Sequence, residues 1–279
     1  MGERMSSTWI GMLAGALLGA VAALGVTARA DLGDVSTAFL ASGDDLVALG
    51  AGFAPDYEGA GDSGIVPAVY AHVGLGEGRF VELIGTALRA NFIGASRWQV
   101  GPVVNYRPGR QDADDATVRA VHEVDDAWEA GLALGWQIHD PENARNRLRV
   151  GLDLLQDVSD GHGGFVADLS VIYRQEVAGR LDLGVLAGVS FASGDYMAET
   201  FGVTAADATA SGLSAFQPDG GFRDIRIAPL AVLHLSENWR LGAVAGWRRL
   251  IGDAADSPVV KDRGDENQFY ASMTMAYAW

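Results

Sequence analysis

The sequence predicts an all-β protein, a transmembrane antiparallel up-and-down β-barrel of about 12 strands, with about 10 as the fallback. Three observations carry this reading. Apolar and polar residues alternate with period two through segment after segment, each about as long as a tilted strand that crosses a bilayer. Aromatic residues stand at both ends of the apolar faces, where a barrel meets its two water–lipid interfaces. The connections alternate between short and long, as in barrels with short periplasmic turns and longer external loops.

The N-terminus comes first. Arg4 precedes an apolar run from Ile10 to Val26, and Ala28-Arg29-Ala30 gives a small-x-small cleavage pattern. The run is shorter than the roughly 20 residues a spanning helix needs, so residues 1–30 are expected to be a cleavable signal peptide, cut after Ala30. Residues 31–279 are then the outer-membrane β-barrel. Cysteine is absent, which excludes a lipoprotein anchor and a disulfide framework. The net charge of −16 argues against a nucleic-acid partner, because phosphate backbones are held by Lys and Arg. Lys261 is the sole lysine, so positive charge rests on arginine, whose planar fork suits fixed ion pairs.

Strand by strand, the early segments lie near residues 46–53, 65–74 and 79–92. The last of these is read either as two short strands or as one, with residues before Leu46 adding another to keep the number even. From Trp98 to Tyr106 the even positions are apolar, and from Trp128 to Ile138 they are again. Leu148, Val150, Leu152 and Leu154 oppose Arg147, Arg149 and Asp153. Phe165, Leu169, Val171 and Tyr173 oppose Asp168, Ser170 and Arg174. Leu183, Val185 and Val189 oppose Asp182 and Ser190, while Trp239, Leu241 and Trp247 oppose Arg240 and Arg248. The chain closes on Phe269, Met273, Met275, Tyr277 and Trp279. A soluble barrel would also alternate, with its apolar side inward. The aromatic girdles, the mid-strand Gly and charge, and the terminal aromatic favour the apolar side facing lipid.

Connection lengths set the orientation. With the last strand ending in the periplasm, residues 252–266, 192–220, 157–164 and 108–125 are external loops. Residues 236–238, 178–179 and 139–146 are internal turns. Within one long loop, residues 205–210 are expected to form a short helix, with Thr204 as N-cap and Gly212 after its end.

Several long strings give a family resemblance: GAGFAPDYEG at 50–59, GPVVNYRPGR at 101–110, VDDAWEAGLALGW at 124–136, LLQDVSDGHGGFVADLS at 154–170, FGVTAADATASGL at 201–213, GGFRDI at 220–225 and LIGDAADSPVVKDRGDENQFYA at 250–271. In order, and over nearly the whole mature chain, they resemble the MipA/OmpV family. Residues 31–44 lie outside the resemblance. The resemblance implies a Gram-negative outer-membrane address beside lipopolysaccharide. It also implies a scaffold role that links a murein transglycosylase and a murein synthase, with a porin-like small-solute channel as the alternative. It supplies no catalytic residues.

The loops hold the sharpest chemical candidates. Asp125 and Asp126 close one external loop, and Asp160 and His162 lie in the next, so a carboxylate pair facing an Asp–His pair would be able to activate water in a surface hydrolase. Those residues serve equally as loop caps among turn-forming glycines. Asp253, Asp256, Asp262, Asp265 and Glu266 are oxygen-rich but lack EF-hand spacing. His72, His122, His139 and His234 have no metal-ligand spacing, and no phosphate loop is present. The reading taken is a non-enzyme with no cofactor, no metal and no catalytic residue. Its lumen set is Arg107, Arg110, Glu129, Arg149, Asp153, Asp168, Arg174, Arg223, Asp224, Arg226 and Arg248, either lining a water path or zipped into a plug of ion pairs, with the plug favoured.

Overall fold

The computed structural model describes residues 32–41, 43–111 and 113–279, so the expected leader at residues 1–30 lies outside the described residues. Twelve strands run β1 Leu46–Pro55, β2 Ser63–Gly76, β3 Arg79–Ile84, β4 Ala87–Asn91, β5 Trp98–Arg107, β6 Ala127–His139, β7 Arg147–Asp157, β8 Phe165–Ala178, β9 Leu181–Ala192, β10 Gly221–His234, β11 Trp239–Leu250 and β12 Asn267–Ala278. Each pairs antiparallel with its neighbours, and β1 pairs with β12, from Leu46 opposite Ala278 to Phe53 opposite Ala271, to close the barrel. Closure removes the free edges that an open sheet would expose.

The stretch at 79–92 is two short strands, β3 and β4, joined at Gly85 and Thr86. Gly85 has φ +57°, and a Cβ there would lie 2.6 Å from the backbone of Leu32, so the hairpin tip is held against the N-terminal segment. Because this hairpin is short, β2 runs on past it. Gly85 N donates to Val69 O and Ser36 Oγ accepts from Val69 N, which shows that the odd-numbered backbone groups of β2 face the gap. Pro67, with no N–H to offer, falls on that side.

Sidedness follows the alternation. Phe53, Leu169, Val185, Phe269, Met273 and Tyr277 face outward and are exposed, whereas Glu129, Arg149, Asp153, Arg174, Asp224 and Arg248 are buried on the inner face. The two aromatic girdles are distinct. Near the short turns, Trp98 lies opposite Trp136, and the rings of Trp239 and Tyr277 meet edge-on at 5.3 Å. Near the long loops, Tyr106 meets Trp128 at 5.3 Å, and Phe191 packs between Phe165 and Phe222.

The inner face is not wholly polar. Ile172, Leu186, Leu230, Val232 and Val244 point inward and are buried against Leu32, Val35, Phe39 and Leu40. Residues 32–41 thus add no strand. They fold back into the lumen as a plug, with one 3-10 turn at Asp34–Ser36. Inward-facing glycines seat it: a Cβ on Gly242 would lie 2.7 Å from the ring of Phe39, and one on Gly52 would lie 3.0 Å from Val35.

The long loops form a lid with its own core. Helix α1 spans Gly194–Phe201, α2 Ala205–Ser211, α3 Asp253–Asp256 and α4 Pro258–Lys261. Tyr196, Met197, Phe201, Leu250, Ala254 and Val260 pack together over the rim. The predicted helix is present as α2, where Thr204 and Asp207 make a reciprocal capping box and Gly212 closes the end in the left-handed region.

Candidate functional site

Among the described residues the lumen gathers most of the buried charge. Alternation puts a polar group on every second position of each strand, and the barrel then brings those groups face to face. Two pairs cross the interior: Arg149 on β7 reaches Glu82 on β3 at 3.1 Å, and Arg89 on β4 reaches Asp153 on β7. Glu82 also accepts from Tyr70 Oη at 2.8 Å. Toward the short turns, Arg174 pairs with Asp182 at 3.4 Å, and Asp182 also meets His234 at 2.9 Å. Toward the long loops, Arg226 spans Asp168 at 3.2 Å and Asp224 at 3.4 Å. Arg223 lies between Asp224 at 3.0 Å and Glu58 at 3.1 Å. Arg248 fixes the plug through Asp34 at 2.6 Å. Arg107 pairs with Glu129 at 2.8 Å, and Asn105 donates to the same carboxylate. Pairing is what makes burial of so many charges tolerable.

Every member of the sequence-predicted lumen set except Arg110 therefore faces inward, and each of these has a partner. The partners Glu82, Arg89, Asp182, Glu58 and Asp34 were not among them. Glu82 and Arg89 sit on short strands, Asp182 stands on the polar face of its strand but was not assigned to the set, and Glu58 and Asp34 lie off the strands.

Among the described residues three cavities stand in file along the lumen. The widest of these three, about 420 Å³, opens at the short-turn rim. A second of about 110 Å³ lies mid-lumen, and a third of about 70 Å³ sits under the lid. Arg149 lines both the first and the second, so its pair with Glu82 forms a bar between them. Asp34, Arg107 and Arg248 line both the second and the third.

The candidate hydrolase residues do not converge. Asp126 accepts from Tyr106 Oη at 2.5 Å and from Gly109 N at 2.8 Å, which makes it a loop tie. Asp125 accepts from Gln111. Asp160 is exposed at the tip of its loop, in the left-handed region with φ 62°. His162 is buried, its Nε2 3.0 Å from Glu129 and its Nδ1 accepting from Gly164 N at 3.1 Å. That acceptance puts the ring proton on Nε2, and both nitrogens are occupied. Among the described residues no group of three or more His, Cys, Asp or Glu is placed to hold a metal ion. The acids at 253–266 are instead spent on ties such as Asp253 to Asp219 N and Glu266 to Arg249.

Arg110, placed in the lumen set, lies at the base of the lid, where its guanidinium donates to Thr200 O at 2.8 Å. The lid's other fastener is Asp207, which caps α2, accepts from His122 N at 2.9 Å and meets His122 Nδ1 at 2.8 Å. Burial disfavours its charge, but the bonds from His122 and Thr204 outweigh that and hold its carboxyl down to about 2. Because the folded value lies below the ordinary carboxylate value, this stabilisation is complete above about pH 4 and fades as pH falls toward 2. Asp207→Ala is expected to cost about 1–3 kcal/mol of lid closure. Nicking within residues 203–216 by added protease should rise on the order of ten-fold or more. An unchanged nicking rate would show that Asp207 does not fasten the lid.

Comparison with known proteins places this geometry. The "Putative outer membrane protein YiaT" of Escherichia coli (strain K12) is 25% identical over 166 residues, which cover 60% of this chain and 63% of that protein. The matched region thus spans less than two thirds of the relative. Among solved structures, an outer membrane channel from Pseudomonas putida F1 aligns with TM-score 0.47 and 11% identity, over 85% of this chain and 96% of that one. The NanC porin aligns with TM-score 0.45 and 10% identity, over 84% of this chain and all of that one (100%). The chain is an outer-membrane β-barrel. The family model described as MltA-interacting protein MipA matches residues 47–279, from the start of β1 to the last residue, and the chain belongs to that family.

Proposed function

We propose that the protein is a closed, non-enzymatic platform of the outer membrane that docks murein-processing enzymes at its periplasmic rim. The observation that carries this is occlusion along the lumen. Among the described residues a seated plug, two ion pairs across the interior and a packed lid stand in the lumen, which supports a reading in which its work falls to its rims. The family description, which names an interaction with MltA, supports a murein transglycosylase as the partner, with a murein synthase as the second member of the assembly. The broadest periplasmic connection, residues 140–146 between β6 and β7, offers exposed Asp140, Pro141 and Glu142 as a contact.

A photocrosslinking residue at position 142 in intact envelopes is expected to capture a murein transglycosylase, while the purified barrel gives a flat trace in planar bilayers. Steady conductance steps from the intact protein, or no crosslink to any murein enzyme, would overturn the platform. A second reading, a gated small-solute channel, is favoured by the file of cavities. In that case opening would require the Arg149–Glu82 bar to part, and Arg149→Ala alone would produce current.

A further inference from the structure

The periplasmic cavity has a chemistry that the platform reading does not use. In a chain with a net charge of −16, its lining carries Arg79, Arg97, Arg147 and Arg149 against a single carboxylate, Glu82. Glu82 is already committed to Arg149 and Tyr70. The nearby acids are also committed, Glu77 to Arg79 at 2.6 Å, Asp45 to His72 and Asp44 to Arg240. Arg97 stands exposed at the rim, and among the described residues its guanidinium has no ion pair. Among the described residues Arg147 donates to the carbonyl of Ala144 and has no ion pair within contact distance, with Asp44 as a nearby carboxylate. Deeper in the wall, the buried Oε1 of Gln99 has no hydrogen-bond partner.

We propose that this vestibule is a binding site for a small periplasmic solute carrying two or more carboxylate or phosphate groups. Its volume of about 420 Å³ lies within the range of ligand pockets. Arginine forks dock such groups through paired, charge-assisted hydrogen bonds. The Arg149–Glu82 bar and Ala41 of the plug close its inner end, so the space is a blind pocket suited to retention. Arg97 meets the ligand at the mouth beside the Arg79–Glu77 pair, Arg147 holds it from the wall, and Gln99 offers a neutral polar contact, its amide free to present either end.

Calorimetry on the protein folded in zwitterionic detergent tests this, with citrate and pyrophosphate as probes. Saturable binding is expected for at least one probe, weakening as salt is raised, with acetate far weaker. The Arg97→Gln/Arg147→Gln double variant should bind at least ten-fold more weakly. Arg249→Gln, at the opposite end, should bind as the parent does. Heat-modifiable gel mobility confirms that each variant is folded, and Arg97→Gln alone, at an exposed position, serves if the double variant is not. No saturable binding of either probe, or equal binding by parent and vestibule variants, would overturn the site. If short-chain phosphatidylglycerol binds with the same arginine dependence while both probes fail, the solute is rejected and an anionic lipid headgroup takes its place.

Discussion

Deleting residues 32–41 should leave the twelve-strand barrel folded and give it ion conductance that the intact chain lacks. The barrel ladder closes from β1 to β12 without these residues, so their loss removes no strand pairing. What they contribute is filling. Leu32, Val35, Phe39 and Leu40 are buried, which favours seating the segment against the backbone entropy lost in ordering it. Polar ties then tip the balance: Ser272 Oγ donates to Val35 O at 2.6 Å, Ser36 Oγ accepts from Val69 N at 3.0 Å, and Asp34 pairs with Arg248 at 2.6 Å. The plug can also be dislodged without cutting it out. Gly242→Val should do this, because its new side chain would occupy the place of the Phe39 ring. Planar-bilayer recording is the measurement. Silent traces from both variants, each shown to be folded by heat-modifiable mobility, would mean that the ion-pair belt alone seals the lumen.

The sequence shows the barrel wall far more clearly than its contents. Alternation is a local property, and the strands from Trp98 onward, the girdles, the loop lengths and the Thr204 cap were all legible because each depends on neighbours within a few residues. The identity of what fills the lumen depends on contacts distant in sequence. Residues 32–41 have neither strand period nor length enough for a convincing helix, and they lie outside the family strings. One signal was present in the wall itself. Ile172, Leu186, Leu230, Val232 and Val244 break the polar rule of the inner face, and an apolar patch turned inward in a barrel needs something apolar to cover it. The same limit applies to the ion pairs. The periodic side chains Arg149 and Arg226 could be placed inside, but their partners follow from barrel curvature and not from spacing. His162 shows the converse, since loop position made it resemble a surface group whereas the fold turns its ring onto Glu129.

Glu129 is where a single substitution should cost the barrel most. Its side chain is fully buried, and its two oxygens take bonds from Arg107 Nε at 2.8 Å and Nη2 at 3.1 Å, Asn105 Nδ2 at 2.8 Å and His162 Nε2 at 3.0 Å. Glu129→Ala strips the acceptor from all of them at once and leaves a guanidinium in the lumen wall without this counter-charge. Breaking a buried pair in this way costs about 3–5 kcal/mol. By contrast, Arg249→Ala removes an exposed pair with Glu266, worth about 1 kcal/mol or less. Urea unfolding of the protein in liposomes, followed by tryptophan fluorescence, should separate the two by several kcal/mol. The shortfall at Glu129 should also reach the lid, because the ring of Tyr196 meets that of His162 edge-on at 4.7 Å and lies under the guanidinium of Arg107 at 5.5 Å. If Glu129→Ala and Arg249→Ala prove equally mild, water must enter the belt and solvate Arg107 in place of the carboxylate, and the lumen is then wetter and less sealed than its ion pairs imply.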